Sequence, residues 1–323
     1  MEVHFYLPEK YLPDSARQEA WKEGKITTLE QGGKIACAQC WIYQTWVALQ
    51  SAGVKVNLTP EIPREGILVG LSGFFGDDFR APDDVFFAGI VADYLPHPGA
   101  HLHILQNPVH ARRLRHSAYM PLWPHPNLIP REANRGDVFE TIGFFGDAQN
   151  LAPELRDPAW IEQLGAMGLR LVIYDANRWH DYSDADCVIA IRGFGLSPYL
   201  HKPATKLYNA WLAGVPFIGG MDSAYAADGR AGVNFLQASS PQELLSQIRR
   251  LKDDVTLRHK LVAAGYEASR HFNATAILER WKTLLAQDLP DRARKWRQRS
   301  PLSRRIFSFS QAAGVWLDRK LRR

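Results

Sequence analysis

Residues Lys202–Gly220 read KPATKLYNAWLAGVPFIGG. Proline suits the first helical position, so a helix is expected to start near Pro203. Gly214 suits the left-handed position that ends a helix. VPFIGG is then a short apolar run, as expected of a strand buried on both faces. At 3.6 residues per turn, Leu207, Ala210, Trp211 and Gly214 share one side of the helix. Lys202, Thr205, Lys206 and Asn209 lie close to one line on the other side. Two lysines at a helix amino end join free backbone N–H groups and the positive end of the dipole. Such a face is often no more than the solvated side of an amphipathic helix. Its position argues for a ligand. The preceding run DCVIAIR is strand-like and puts Arg192 at its carboxyl end, where open parallel sheets bind ligands. Lys202, Thr205 and Lys206, joined by Arg192, make a pyrophosphate site. Asn209, one turn further in, is placed to hydrogen-bond a ribose hydroxyl.

Working outward, FETIGFFG and LRLVIYD read as strands and PAWIEQLGAMG as a helix ending in glycine. Gly143 and Gly146, in the first strand and loop of this unit, would let the backbone approach a donor. SPQELLSQIRRL opens on a capping box, Ser240 to Glu243, and two more amphipathic helices follow. Upstream, Pro121–Asp137 carries prolines at 121, 124, 126 and 130 with almost no periodicity, which reads as a linker. Before it lies a second alternation: VHFYL, a helix over GGKIACAQCWIYQTWVALQSAG, then VKVNL, GILVGL, VFFAGIVA and HLHILQ. Two successive βαβ-like patterns predict two parallel-sheet units. GFFGD occurs in both, at Gly73–Asp77 and Gly143–Asp147.

At 323 residues the chain is long enough for two ordinary domains. The first residues show no secretion signal, no apolar run approaches the ~20 residues that span a bilayer, and three cysteines make no disulfide framework. A cytoplasmic protein is expected. The net charge of +5 is uneven: residues 292–323 hold eleven Lys/Arg and one acid, Asp318, and so carry +10, leaving −5 for the rest.

The run LYNAWLAGVPFIG resembles the second domain of GT-B glycosyltransferases. Their signature is a strand, a loop, a helix with an lEAmAxGxPvI-like pattern, and a buried strand. The Ala38–Gly53 helix, QNP after a strand, and WPHPNLIPR are similar to bacterial members. The resemblance covers the chain to about Gln287, most strongly Phe139 to Gly220. It implies α/β architecture with two Rossmann-like domains facing across a cleft. The expected boundaries are 1–128 for the acceptor-side domain, 129–287 for the nucleotide-sugar domain, and 288–323 for a basic helical tail. It also implies transfer of a sugar from a nucleoside-diphosphate-sugar co-substrate to a hydroxyl of a glycan or lipid-linked acceptor. No metal or other cofactor is needed, because basic side chains and helix ends stabilise the departing diphosphate. The family often has Glu on the ribose where this chain has Asn209, and the paired-Glu spacing of many retaining members is missing. Donor identity and stereochemistry therefore stay open. So does a non-catalytic nucleotide- or sugar-binding protein on this fold, and a nucleotide-sugar epimerase.

Other motifs were weighed on their residues. Cys37 and Cys40 have redox spacing but sit inside an apolar helical pattern, which favours small core residues. His97, His101 and His103 lack a Cys or carboxylate companion for a metal. Asp93 or His97, in a loop after a strand, is instead the candidate general base on the acceptor hydroxyl. Asp184-x-Asp186 precedes a strand rather than following one, so it reads as a connection. GLSGFFG lacks dinucleotide-fold spacing, which disfavours hydride chemistry. In the tail, Leu302, Ile306, Phe309, Ala313 and Trp316 repeat at helical spacing with arginines at both ends. Two readings stand: a basic amphipathic helix on an anionic membrane at its inner face, or a terminal helix packed back on the first domain. Nucleic-acid binding is disfavoured, because aromatics are not interleaved as stacking platforms.

Overall fold

The computed structural model describes residues 1–28, 33–195 and 197–321. Gly32 of the expected glycine pair, Leu196 of the loop before Lys202, and the last two arginines lie outside the described residues.

The first sheet holds β1 (Val3–Tyr6), β2 (Asn57–Thr59), β3 (Gly66–Leu71), β4 (Val85–Ile90), β5 (Leu102–Leu105) and β6 (Ser117–Tyr119). Its order is β2-β1-β3-β4-β5-β6 and every pair is parallel. The second holds β7 (Thr141–Phe145), β8 (Arg170–Tyr174), β9 (Cys187–Ala190), β10 (Phe217–Gly219) and β11 (Leu236–Gln237), ordered β11-β10-β9-β7-β8 and again all parallel. Counted within each unit, the second sheet repeats the 2-1-3-4-5 order of the first. This is a doubly wound topology whose order reverses between the first and third strands.

The continuous apolar runs have their reason here. β3, β4, β5, β7, β9 and β10 are buried at every residue, as strands covered on both faces must be. One face of the second sheet packs on Trp160, Leu164, Leu244 and Ile248, the other on Tyr208, Trp211, Tyr225 and Phe272. The segment Gly33–Ser51 is helical throughout, with a π turn at Gln39–Tyr43 that buries five consecutive residues. Cys37 and Cys40 are free thiols in this helix, and burial raises both, Cys37 to about 11. That agrees with a core role. The two GFFGD copies are not equivalent. The first lies in the loop after β3, while Gly143–Phe145 of the second are inside β7.

The proline-rich stretch is pinned at both ends. Trp123 Nε1 donates to Thr45 Oγ1 in the first unit (2.9 Å). Arg131 and Arg135 both bind the Asp186 carboxylate of the second (2.8 and 2.7 Å). Asp186 also accepts the Glu140 and Thr141 amides. Burial pushes its pKa up, but these hydrogen bonds, Arg135 foremost, outweigh it and hold the carboxyl below its ordinary value. The Asp-x-Asp is thus an anchor in a connection. After the second unit the chain returns to the first core. Ile277, Trp281, Leu285, Leu289 and Trp296 are buried with Phe5, Trp41 and Ile67, so the return begins before the boundary expected at 287. No helix among the described residues is long and apolar enough to cross a membrane.

Candidate functional site

The order reversal of the second sheet falls between β7 and β9. Gly146 is the residue after β7, and Arg192 follows β9 by two. The helix that delivers the lysines starts at Thr205, with Ala204 at its N-cap, rather than near Pro203. Lys202 amide closes a turn on Tyr199 O (2.9 Å). Lys202 therefore sits in the loop, and the expected single line of basic side chains on one helix is corrected: Lys202 and Lys206 converge from two elements. Gly214 ends the helix at φ 70°, in the left-handed region.

Lys206 forms no hydrogen bond or ion pair with any described residue. Its ammonium lies 5.5 Å from the centre of the Phe144 ring. A Cβ at position 146 would come 3.0 Å from Lys206 Nζ, so the lysine's ammonium lies against the backbone at the end of β7. Burial, with Arg192 and Lys202 nearby adding repulsion, lowers its pKa from 10.5 to about 7. Beside it, Thr205 Oγ1 is buried with no hydrogen-bond partner. Arg192 Nε binds Asp222 Oδ2 (3.0 Å), while Asp222 Oδ1 is buried and unpartnered. Burial raises the Asp222 pKa despite Arg192. Arg192, Lys202, Lys206 and a free hydroxyl thus meet at the switch point, and since Asp222 and Asp93 pair with Arg192 and Lys202, a protonated Lys206 is the charge left without a counterion there. Such a group is short of negative charge and suits a phosphate anion.

The first unit reaches this group through loops at the carboxyl ends of β4 and β5. Asp93, about half exposed, pairs with Lys202 (3.2 Å). Gln106 donates to Asp93 Oδ1 (3.1 Å) and to His201 O (2.6 Å). Asn107 caps the helix that begins at Pro108 and donates to Lys202 O and Ser223 Oγ. The QNP resemblance by itself gives Gln106 and Asn107 no role. The signal was there: Asn before Pro is an N-cap followed by a first-turn proline, at a strand's carboxyl end. Asp222 carried no comparable signal, since only the fold sets it on Arg192.

Three expected site residues are held by contacts within the fold. Gly143 is inside β7, where a Cβ would meet the Phe145 and Tyr174 rings at 2.9 and 3.0 Å. Glycine there leaves room for those two rings. His97 is 1% exposed. Its Nε2 bonds Gly76 O (2.7 Å) and its Nδ1 accepts the Gly99 amide (3.0 Å). With both ring nitrogens committed to backbone, it has no lone pair for an acceptor's proton, and Asp93 is left as the candidate base. Asn209 is buried, and its Oδ1 accepts the His125 amide (3.1 Å), tying the linker to this helix. Among the described residues no three metal-ligating side chains gather.

No protein-family model matches the chain, and no curated protein matches it. Solved structures do. Sucrose-phosphate synthase of Thermosynechococcus elongatus superposes with a TM-score of 0.59 at 12% identity, over 90% of this chain and 100% of that one. AviGT4, a glycosyltransferase of avilamycin A biosynthesis, gives 0.58 at 13%, over 90% and 98%. HepE of Anabaena, solved with UDP and glucose, gives 0.53 at 11%, over 89% and 100%. With two doubly wound parallel sheets in succession and these neighbours over nearly its whole length, the chain has the GT-B glycosyltransferase fold.

Proposed function

We propose that the protein is a glycosyltransferase. It moves a sugar, of hexose type, from a nucleoside-diphosphate-sugar donor to a hydroxyl of a glycan or lipid-linked acceptor. It does so without a metal, in the cytoplasm, in glycan or cell-envelope polysaccharide assembly. The observation that carries the reading is Lys206, a half-buried lysine that forms no hydrogen bond or ion pair with any described residue, against the Phe144 ring and Gly146 at the switch point. Its surroundings disfavour the charged form, and a diphosphate there would restore it. Arg192 and Lys202 would share the charge that develops on the leaving diphosphate, and Thr205 Oγ1 would gain a partner. Asp93 would take the proton of the acceptor hydroxyl. Lys202, when it turns to phosphate, releases that carboxylate for the task. HepE, which holds UDP-glucose on the same fold, supports a sugar nucleotide as the donor class.

One observation favours a second reading, a nucleotide-binding protein without turnover. Asn209 stands where relatives often carry Glu, and its acceptor oxygen is engaged by the linker. Calorimetry with UDP, GDP, ADP, CMP and dTDP, on wild type and Lys206→Ala, tests binding. Release of nucleotide from the matching sugar nucleotide tests catalysis. Binding that Lys206→Ala leaves unchanged refutes the site; binding without any release supports the second reading.

A further inference from the structure

The last helix, Pro301–Leu321, packs inward through both apolar and polar groups. Phe307 lies against the Trp296 and His116 rings, with centroids 5.5 and 4.8 Å apart. Gln311 and Val315 are buried, and Gln311 donates to Ala100 O (3.2 Å). Arg304 reaches Asp83 O (3.3 Å). Asp318, the helix's one acid, is turned in on His110 (2.9 Å). Arg319 holds Asp77 through two hydrogen bonds, 2.6 and 2.7 Å. On the opposite side Leu302, Ile306, Phe309, Trp316 and Leu317 stand 68, 61, 80, 59 and 54% exposed. At 3.6 residues per turn these five and Ala313 fall within one stripe about 100° wide, with Arg305 and Lys320 along it. A helix already packed on its protein has no need of an apolar outer face, and a contiguous one marks an interaction surface.

We propose that this outer face docks the protein on an anionic lipid bilayer, with the helix lying in the plane of the interface. Charge selects the occupant. The region from residue 292 carries +10, and its single acid is on the inward side. Neither Arg305 nor Lys320 forms an ion pair with a carboxylate among the described residues; Lys320 instead lies 4.0 Å over the Trp316 ring. A second copy of the chain would bring two such basic regions together, whereas anionic headgroups neutralise them. The two sequence readings of the tail are thus two faces of one helix: one packs on the first unit, the other meets lipid. Arg319, which binds Asp77, also donates to Pro96 O (2.8 Å), in the loop that carries Asp93. Resting on the proposed transferase reading, this places the acceptor side of the site next to the bilayer and favours a lipid-borne acceptor.

Flotation of the full chain with vesicles tests the docking independently of transferase activity. Wild type should float with phosphatidylglycerol/phosphatidylcholine vesicles and stay behind with phosphatidylcholine alone. Ile306→Asp/Phe309→Asp should reduce the bound fraction at least about tenfold, with an unchanged melting temperature because both positions are exposed. Arg305→Glu/Lys320→Glu should make the remaining binding less salt-sensitive. No flotation of wild type, or flotation that survives the aspartate pair, overturns the proposal. So does a lipid-free dimer, seen by sedimentation, that the aspartate pair dissociates. Vesicle binding without sugar transfer upholds the docking and counts against the transferase reading alone.

Discussion

The sharpest consequence of the basic cluster is a proton taken up when nucleotide binds. Free Lys206 has a pKa of about 7, set first by burial and then by Arg192 and Lys202. At pH 8 such a lysine is about one-tenth protonated. A diphosphate anion against it favours the charged form and returns the pKa toward its ordinary value. Binding UDP at pH 8 should therefore take up about 0.9 proton. The terminal phosphate, with a second pKa of about 6, is already ionised there and contributes little. By linkage, the dissociation constant should rise about tenfold per pH unit above pH 7, or about 1.4 kcal/mol per unit. Stability of the ligand-free protein runs the other way from affinity. Between about 7 and 10.5 the unfolded chain holds a proton that the folded lysine lacks, so the ligand-free protein should become more stable as pH rises through that window. Calorimetry at pH 8 in buffers of different ionisation enthalpy measures the uptake, and Lys206→Met should abolish it. An uptake below about 0.2 proton, with a dissociation constant flat from pH 7 to 9, would refute the assignment of Lys206 to the phosphates.

Three further outcomes are expected. Asp93→Asn should lower kcat/KM by about 10²–10⁴-fold while UDP binds at least as tightly, because Lys202 is freed from its 3.2 Å partner; undiminished turnover removes Asp93 as base. Asp186→Ala should cost about 3–5 kcal/mol in urea unfolding, since it strands Arg131 and Arg135 around a 2%-exposed position. The depressed Asp186 pKa means this stabilisation is full above the ordinary carboxylate range and fades as pH falls through the folded value; a variant equally stable at pH 7 and pH 3 relative to wild type contradicts that. Tyr119→Phe should cost about 1–3 kcal/mol of thermal stability, because Tyr119 donates to Asp228 (2.7 Å), which Tyr208 also binds, joining β6 to the second unit; an unchanged melting temperature would show that these contacts contribute nothing net.

Much of the fold was legible because burial on both faces leaves a plain mark. GILVGL, VFFAGI and VPFIGG have no polar side to show, and each is a strand. What escaped were β6 and β11, three and two residues long, too short for any period to register. The site was legible in part. Helical spacing brought Lys202, Thr205 and Lys206 together in prediction, and a strand end supplied Arg192. The same spacing did not foresee that Asn209 is buried and holds the linker through its Oδ1, because the Thr205–Ala213 helix is buried on more sides than an amphipathic pattern implies.

The sequence by itself determined the two parallel-sheet units, the Gly214 stop, the basic group at the second unit's switch point and the charge of the tail. These depend on neighbours a few residues apart, where helix and strand periods and glycine's freedom apply. Tertiary structure alone decided that Lys206 has no ion pair among the described residues and a pKa lowered by burial, that Asp93 faces Lys202, that His97 is spent on its own loop, and that the last helix leaves an apolar stripe exposed. Each depends on which groups from distant segments share a space, and desolvation and charge act through space rather than along the chain.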